Sequence, residues 1–213
     1  MYLTNGQRFR KLFFNLAINP KHLIRYSKYS LSKKSPLELG LPWWSYKGID
    51  LLIPNLSRDK MAFEWGSGGS TIFLSKYLKK IIAVENNPKW VKKVDLTLNS
   101  LKVNNVDLLY KEIDLNSPKL FLESSYSKSI NQEFDIIVVD GEDHYGFASE
   151  WSARENCFEI SQNHIRRNGG IIIVDDSWRY PQIRNKSKAK NVIKCESTGP
   201  CRIGVTSTDL HFY

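Results

Sequence analysis

Two stretches of this sequence concentrate residues able to hold a small ligand and act on it. The first is Glu64-Trp65-Gly66-Ser67-Gly68-Gly69-Ser70-Thr71. Its glycines let the backbone turn tightly and approach a ligand closely, and a helix starting there offers free N–H donors. Glu85 follows, 19 residues after Gly66, just before Asn86-Asn87-Pro88. A carboxylate at such a position can accept both hydrogen bonds of a ribose diol. The second stretch is a set of acids: Asp140-Gly141-Glu142-Asp143-His144-Tyr145, then Asp175-Asp176. Asp140, Asp175 and Asp176 could together hold a hard divalent cation such as Mg²⁺ and polarise an acceptor oxygen. Alternatively His144 beside Asp140 could act as general base with no metal. The plainer alternatives are that Asp175-Asp176-Ser177 caps a helix and that His144 is an exposed loop residue.

The elements that must position these residues alternate. Met61–Phe63, Lys80–Val84, Val106–Tyr110, Phe134–Val139 and Gly170–Val174 read as short apolar strands. Unalternating runs of this kind mark parallel strands buried on both faces. Between them, helices are expected over Ser70–Tyr77, Pro88–Leu101 and Phe147–Arg166, with 115–132 a loop or weak helix. Residues 191–195 and 202–207 form a short final pair around Thr198-Gly199-Pro200. The expectation is an α/β fold, a doubly wound, Rossmann-like, mostly parallel sheet. Ligands of such sheets sit at the carboxyl ends of the strands, where both chemical stretches fall.

Three nucleotide-binding readings compete for the glycine loop. A P-loop needs a Gly-Lys-Ser/Thr ending, and no Lys is present; a dinucleotide fingerprint would need its third glycine at Thr71. Carboxylates at 64, 85 and 140 also suit a cationic ligand and repel a pyrophosphate. The loop instead resembles motif I of the class I S-adenosylmethionine-dependent methyltransferases, acid-x-Gly-x-Gly-x-Gly, with Ser70 in place of the last glycine. The resemblance covers about residues 40–213. It implies S-adenosylmethionine as cofactor, held by Glu64, Gly66, Ser67, Gly68, Ser70, Thr71, Glu85, Asn86, Asp114 and Asp140. Glu64 would lie near the methionine ammonium, Glu85 on the ribose and Asp114 near the adenine. Within the superfamily, Val139 to Tyr145 and Gly169-Gly170 to Asp175-Asp176 are most similar to catechol-O-methyltransferase-like enzymes, although Asp176 replaces their Asn and Tyr145 comes earlier than their Tyr.

The function implied is methyl transfer to an oxygen, less readily a nitrogen, of a small-molecule acceptor. Asp140 and His144 are the catalytic candidates. Trp43, Trp44, Tyr145, Trp178 and Arg179 are candidates to line the acceptor pocket, since aromatics often wall ligand sites. The amino-methylating tetrad Asn/Asp-Pro-Pro-Tyr/Phe is absent after the fourth strand, which disfavours nucleobase amino groups. The alternatives are an RNA methyltransferase and a non-catalytic cofactor-binding domain.

Of the 213 residues, 41% are hydrophobic and 12% aromatic, and the net charge is +9. That composition fits one globular domain. Residues 1–37 hold Arg8, Arg10, Lys11, Lys21, Arg25, Lys28, Lys33 and Lys34 and no acid, so a stretch of charge +8 precedes a nearly neutral remainder. We divide the chain into a basic helical arm, 1–40, and a domain, 41–213. The arm carries two helical patterns parted at Asn19-Pro20. It would either contact nucleic acid or an anionic membrane or pack on the domain or on a second subunit of a homo-oligomer. No run reaches the roughly 20 apolar residues of a membrane span, and a cytoplasmic location is expected. Cys157, Cys195 and Cys201 cannot all pair within the chain and have no metal-knuckle spacing.

Overall fold

The computed structural model describes residues 4–143 and 151–213. His144 and Tyr145 lie outside the described residues. Seven strands form one sheet in the order β3-β2-β1-β4-β5-β7-β6. They are β1 (Met61–Trp65), β2 (Lys80–Glu85), β3 (Val106–Tyr110), β4 (Ile136–Val139), β5 (Ile171–Val174), β6 (Asn191–Thr198) and β7 (Val205–Phe212). The first five pair in parallel; β7 runs antiparallel between β5 and β6. The doubly wound expectation therefore holds, with the switch in strand order between β1 and β4.

The helices are α1 (Asn5–Ile18), α2 (Pro20–Arg25), α3 (Pro36–Leu39), α4 (Tyr46–Leu52), α5 (Gly69–Ser75), α6 (Pro88–Ser100), α7 (Pro118–Glu123), α8 (Ala153–Ser161) and α9 (Pro181–Lys186). The two-residue side-chain period of a strand divides the core between the faces of the sheet. Phe63 and Trp65 point to a cluster with Phe134, Ile137, Val139 and Phe158. Ala62 joins Trp44, Phe73, Leu74, Ile136 and Val138 on the other face. Glu64 therefore falls on the Ala62 face, where α5 lies.

Two elements differ from the sequence expectation. The helix after β4 spans Ala153–Ser161, not 147–166, within the described residues. Ser152 caps its start by accepting from the Glu155 amide. Beyond Gln162 the chain turns so that Ile165 bridges to Phe134. The final hairpin is longer than expected, eight residues per strand. Thr208 and Asp209 are polar yet buried, so hydropathy hides the continuation of the strand beyond Ser207.

The arm is not detached from the domain. Lys11 pairs with Glu196 at 2.6 Å and Arg25 with Asp50 at 2.6 Å. The Tyr26 hydroxyl donates to the Ile203 carbonyl and the Ser30 hydroxyl to the Gly199 carbonyl. No helix among the described residues is long and apolar enough to cross a membrane.

Candidate cofactor and acceptor site

The glycine loop leaves β1 at Trp65 and enters α5 at Gly69. Its first residue is fixed from both sides: the Gly66 amide donates to the Val84 carbonyl at 2.8 Å, and the Asp140 amide to the Trp65 carbonyl at 3.1 Å. Gly66 has φ +97°, and a Cβ there would stand 3.0 Å from the Asp140 carbonyl oxygen. Backbone conformation and the close approach of β4 both demand glycine. Gly69 answers a different need. A Cβ on it would meet the Leu41 carbonyl at 2.1 Å and the Pro36 carbonyl at 2.6 Å, because the chain of α3 lies across the first turn of α5.

Ser70, the departure from the glycine pattern, turns its side chain inward. Its hydroxyl donates to one oxygen of Glu64, and the Thr71 hydroxyl donates to the other at 2.6 Å. Glu64 is fully buried. Burial pushes its carboxyl up to about 7, the two hydroxyl donors opposing the rise. Each oxygen of Glu64 thus accepts one hydroxyl beneath the loop, which ties the start of α5 to β1.

Glu85, at the end of β2, is oriented with equal care. One oxygen accepts from the Asn86 and Asn87 amides at 3.0 and 3.1 Å; the other accepts from the Ser67 hydroxyl at 3.1 Å. Burial raises its pKa, and those donors lower it. Asn86 donates from its amide to Glu142. Trp90, which the sequence reading passed over, donates from its indole to the Ser67 carbonyl at 2.9 Å and lies against Gly68. Glycine loop, Ser67, Glu85, Asn86 and Trp90 make one wall. Asp114 is half-buried, and its carboxylate accepts from the Asn116 amide at 2.9 Å.

The acids of the acceptor side come with arginines. Arg154 of α8 contacts Asp140 at 3.1 Å and donates to the Gly141, Asp140 and Asp175 carbonyls. It thereby ties the ends of β4 and β5 together. Burial lifts the Asp140 carboxyl to about 6 against the pull of Arg154. Arg202, from the turn between β6 and β7, stands 3.2 Å from Asp175 and 3.1 Å from Asp176. Thr208 donates to Asp175 and Thr206 to Asp176. Burial raises Asp175 well above the usual carboxylate range. Asp176 takes a left-handed conformation, φ +48°, and makes no side-chain cap bond to the short turn after it.

The Mg²⁺ expected at Asp140, Asp175 and Asp176 meets a donor set already neutralised by two guanidinium groups: both oxygens of Asp175 and one each of Asp140 and Asp176 are engaged, which disfavours a hard divalent cation there. No cluster of metal-binding geometry occurs among the described residues.

The aromatic candidates divide. Trp43 is half exposed, with the Arg202 guanidinium 4.9 Å from its ring centroid and its carbonyl accepting from Arg202 Nε. It therefore stands beside the acids. Trp44 does not line a pocket: it is fully buried and packs edge-on against Phe73. Adjacent residues before α4 point opposite ways, and only one reaches the rim. Trp178 is partly exposed in the turn after β5, and the Arg179 guanidinium lies over Tyr180.

This geometry has known counterparts in shape. The chain superposes on a Streptococcus mutans protein in complex with SAH, with a TM-score of 0.53 at 14% identity, covering 84% of this chain and 99% of that one. It superposes also on the Thermus thermophilus 16S rRNA N2 G1207 methyltransferase in complex with AdoMet and guanosine, with a TM-score of 0.57 at 16% identity, covering 86% of this chain and 45% of that one. A third is a precorrin-6y C5,15-methyltransferase from Geobacter metallireducens, with a TM-score of 0.55 at 12% identity, covering 88% and 95%. The fold is that of the class I methyltransferases. No protein-family model and no curated protein matches the sequence. On the class I methyltransferase fold, the wall built by Gly66, Ser67 and Glu85 falls at the carboxyl ends of β1 and β2, beside the switch in strand order.

Sequence reading missed Arg154 and Arg202. Arg154 gave no signal while the helix was expected to begin at Phe147; only with α8 starting at Ala153 does it stand in a first turn, where a cation opposes the macrodipole. Arg202 sits in a turn and offered none.

Proposed function

We propose that this protein is an S-adenosylmethionine-dependent methyltransferase that methylates an oxygen of a small-molecule acceptor. The observation that carries the reading is the pairing of Glu85 with a glycine loop that bears no basic side chain. A carboxylate oriented by three donors suits a ribose diol, and the absence of Lys or Arg from 64–71 disfavours a pyrophosphate. The residues present fit S-adenosylmethionine: Glu85 and Ser67 for the ribose, Asp114 and Asn86 toward the adenine, Gly66 and Gly68 for close backbone approach.

When bound, the cofactor supplies an electrophilic methyl on a positively charged sulfur. Asp140, Asp175 and Asp176 are largely offset by Arg154 and Arg202, so the carboxylate of Glu85 is the group that favours a cation over a pyrophosphate. Displacement of such a methyl would be in line, so the main task of the residues that would hold the ribose, Glu85 and Ser67, and of those beside the acceptor is alignment. Asp140, whose carboxyl lies near 6, takes the acceptor proton. Trp43 and Trp178 flank the acceptor.

Titration calorimetry with S-adenosylmethionine and with NAD tests the assignment. Micromolar binding of the first alone is expected; indifference to it at millimolar concentration sinks the proposal. Radiolabelled methyl transfer to a phenol and catechol panel, run beside total RNA, then tests the acceptor class. The arm's charge is the observation that favours RNA, but its exposed face carries Phe9, Phe13 and Phe14.

A further inference from the structure

We propose that the outward face of α1 and α2 seats the protein on an anionic lipid bilayer. Helix α1 is anchored through Leu12, Asn15 and Leu16, which are half-buried against the domain, and by the Lys11–Glu196 pair. On its other side Phe9 and Phe13 are 71% exposed, Phe14 is 66% exposed, and Ile18 lies one turn beyond Phe14. Leu23 and Ile24 of α2 and Leu31 after it are exposed as well. Residues 1–37 add eight basic side chains and no acid.

Exposed apolar groups among cations are the signature of a helix lying in the headgroup plane. A second copy is a poor occupant, because each arm brings an excess of basic side chains to the contact even after Lys11, Lys21 and Arg25 are paired with domain acids. RNA is also a poor occupant. The three phenylalanines could stack on bases, but Ile18, Leu23, Ile24 and Leu31 have no ring face to offer. Acyl chains accept all seven.

The arm is preformed: Thr4 caps α1 with Gln7, and Asp50 receives Lys21 and Arg25. The turn between β6 and β7 that binds Tyr26 and Ser30 also carries Arg202. A membrane-bound arm would thus set the acceptor side of the cleft close to the lipid surface.

Flotation of the full chain with phosphatidylcholine vesicles, with and without about 30% phosphatidylserine, tests the proposal. Binding is expected to the anionic vesicles and to weaken with salt. Phe13→Ser with Phe14→Ser keeps every charge and should weaken it on the order of a hundredfold. Lys33→Gln should cost about fivefold. Both phenylalanines are exposed, so unchanged melting confirms that the fold survives. Equal binding to neutral vesicles, or no binding, overturns the proposal. So does tighter binding to a single-stranded RNA oligonucleotide, or self-association in sedimentation that the phenylalanine variant abolishes.

Discussion

The Ser67 hydroxyl donates to the Glu85 carboxylate at 3.1 Å, which ties the glycine loop after β1 to the end of β2. Two backbone amides hold the other oxygen of the same carboxylate. The site is therefore organised before any ligand arrives, and little ordering cost falls on binding.

Removing that carboxylate should show in affinity, beyond the modest loss of stability from freeing its three donors. Glu85→Ala is expected to weaken S-adenosylmethionine binding by about ten- to a hundredfold, since charge-assisted hydrogen bonds are worth about 1.5–3 kcal/mol each. Ser67→Ala should cost less than tenfold. Calorimetry measures both; a Glu85→Ala protein with unaltered affinity would remove the ribose role.

Gly66→Ala combines an unfavourable positive φ with a Cβ 3.0 Å from the Asp140 carbonyl. Destabilisation of about 2 kcal/mol or more is expected. Denaturant melts check it, and Gly169→Ala is the control: Gly169 shares the positive φ but has nothing near the added methyl.

Glu64 ties stability to pH. Its carboxyl is raised from 4.5 to about 7 in the folded protein. The folded state therefore holds this proton more tightly than the unfolded chain. The stability it contributes is full below about 4.5 and is lost as pH climbs through about 7. Glu64→Gln, which mimics the protonated acid, should gain on the wild type by about 2 kcal/mol between pH 5 and pH 8. Melts at the two pH values read the difference; parallel losses in both proteins would clear Glu64.

If Asp140 takes the acceptor proton, turnover should fall as pH drops below about 6, the value burial gives it. Asp140→Asn should lower kcat by about a hundredfold or more and abolish that acid limb. An intact limb in the variant would assign it to another group.

Arg202→Met leaves Asp175, which is buried, without its guanidinium. The expected loss is about 3 kcal/mol, larger at pH 8 than at pH 5, because acid neutralises the stranded carboxylates. Because arginines occupy the acid cluster, turnover after EDTA treatment and dialysis should be unchanged. Loss of activity restored by Mg²⁺ would reverse this reading of the cleft.

Residues whose roles are local were legible in the sequence. Gly66 and Gly68 mark a turn wherever they occur, and Glu85 was found by its distance from that turn. Strands β1 to β5 announced themselves as apolar runs. What escaped was settled by tertiary contact. Trp43 and Trp44 are chemically identical, and only the direction of the chain before α4 sends one to the rim and the other to the core. Thr206 and Thr208 carry no sequence signal of their role, yet β7 is an inner strand and their hydroxyls answer Asp176 and Asp175. The same acids looked free to take a metal because Arg202 lies 26 residues beyond Asp176.

The carbonyls of Pro36 and Leu41 rest where a side chain at position 69 would grow. A protein trimmed to begin at residue 41 would thus lose the Pro36 half of the cover over the opening turn of α5, not merely a tail. Deletions meant to isolate the role of the basic segment belong between Lys33 and Ser35. They would then leave intact the Ser35–Glu38 capping box, which starts the covering strap.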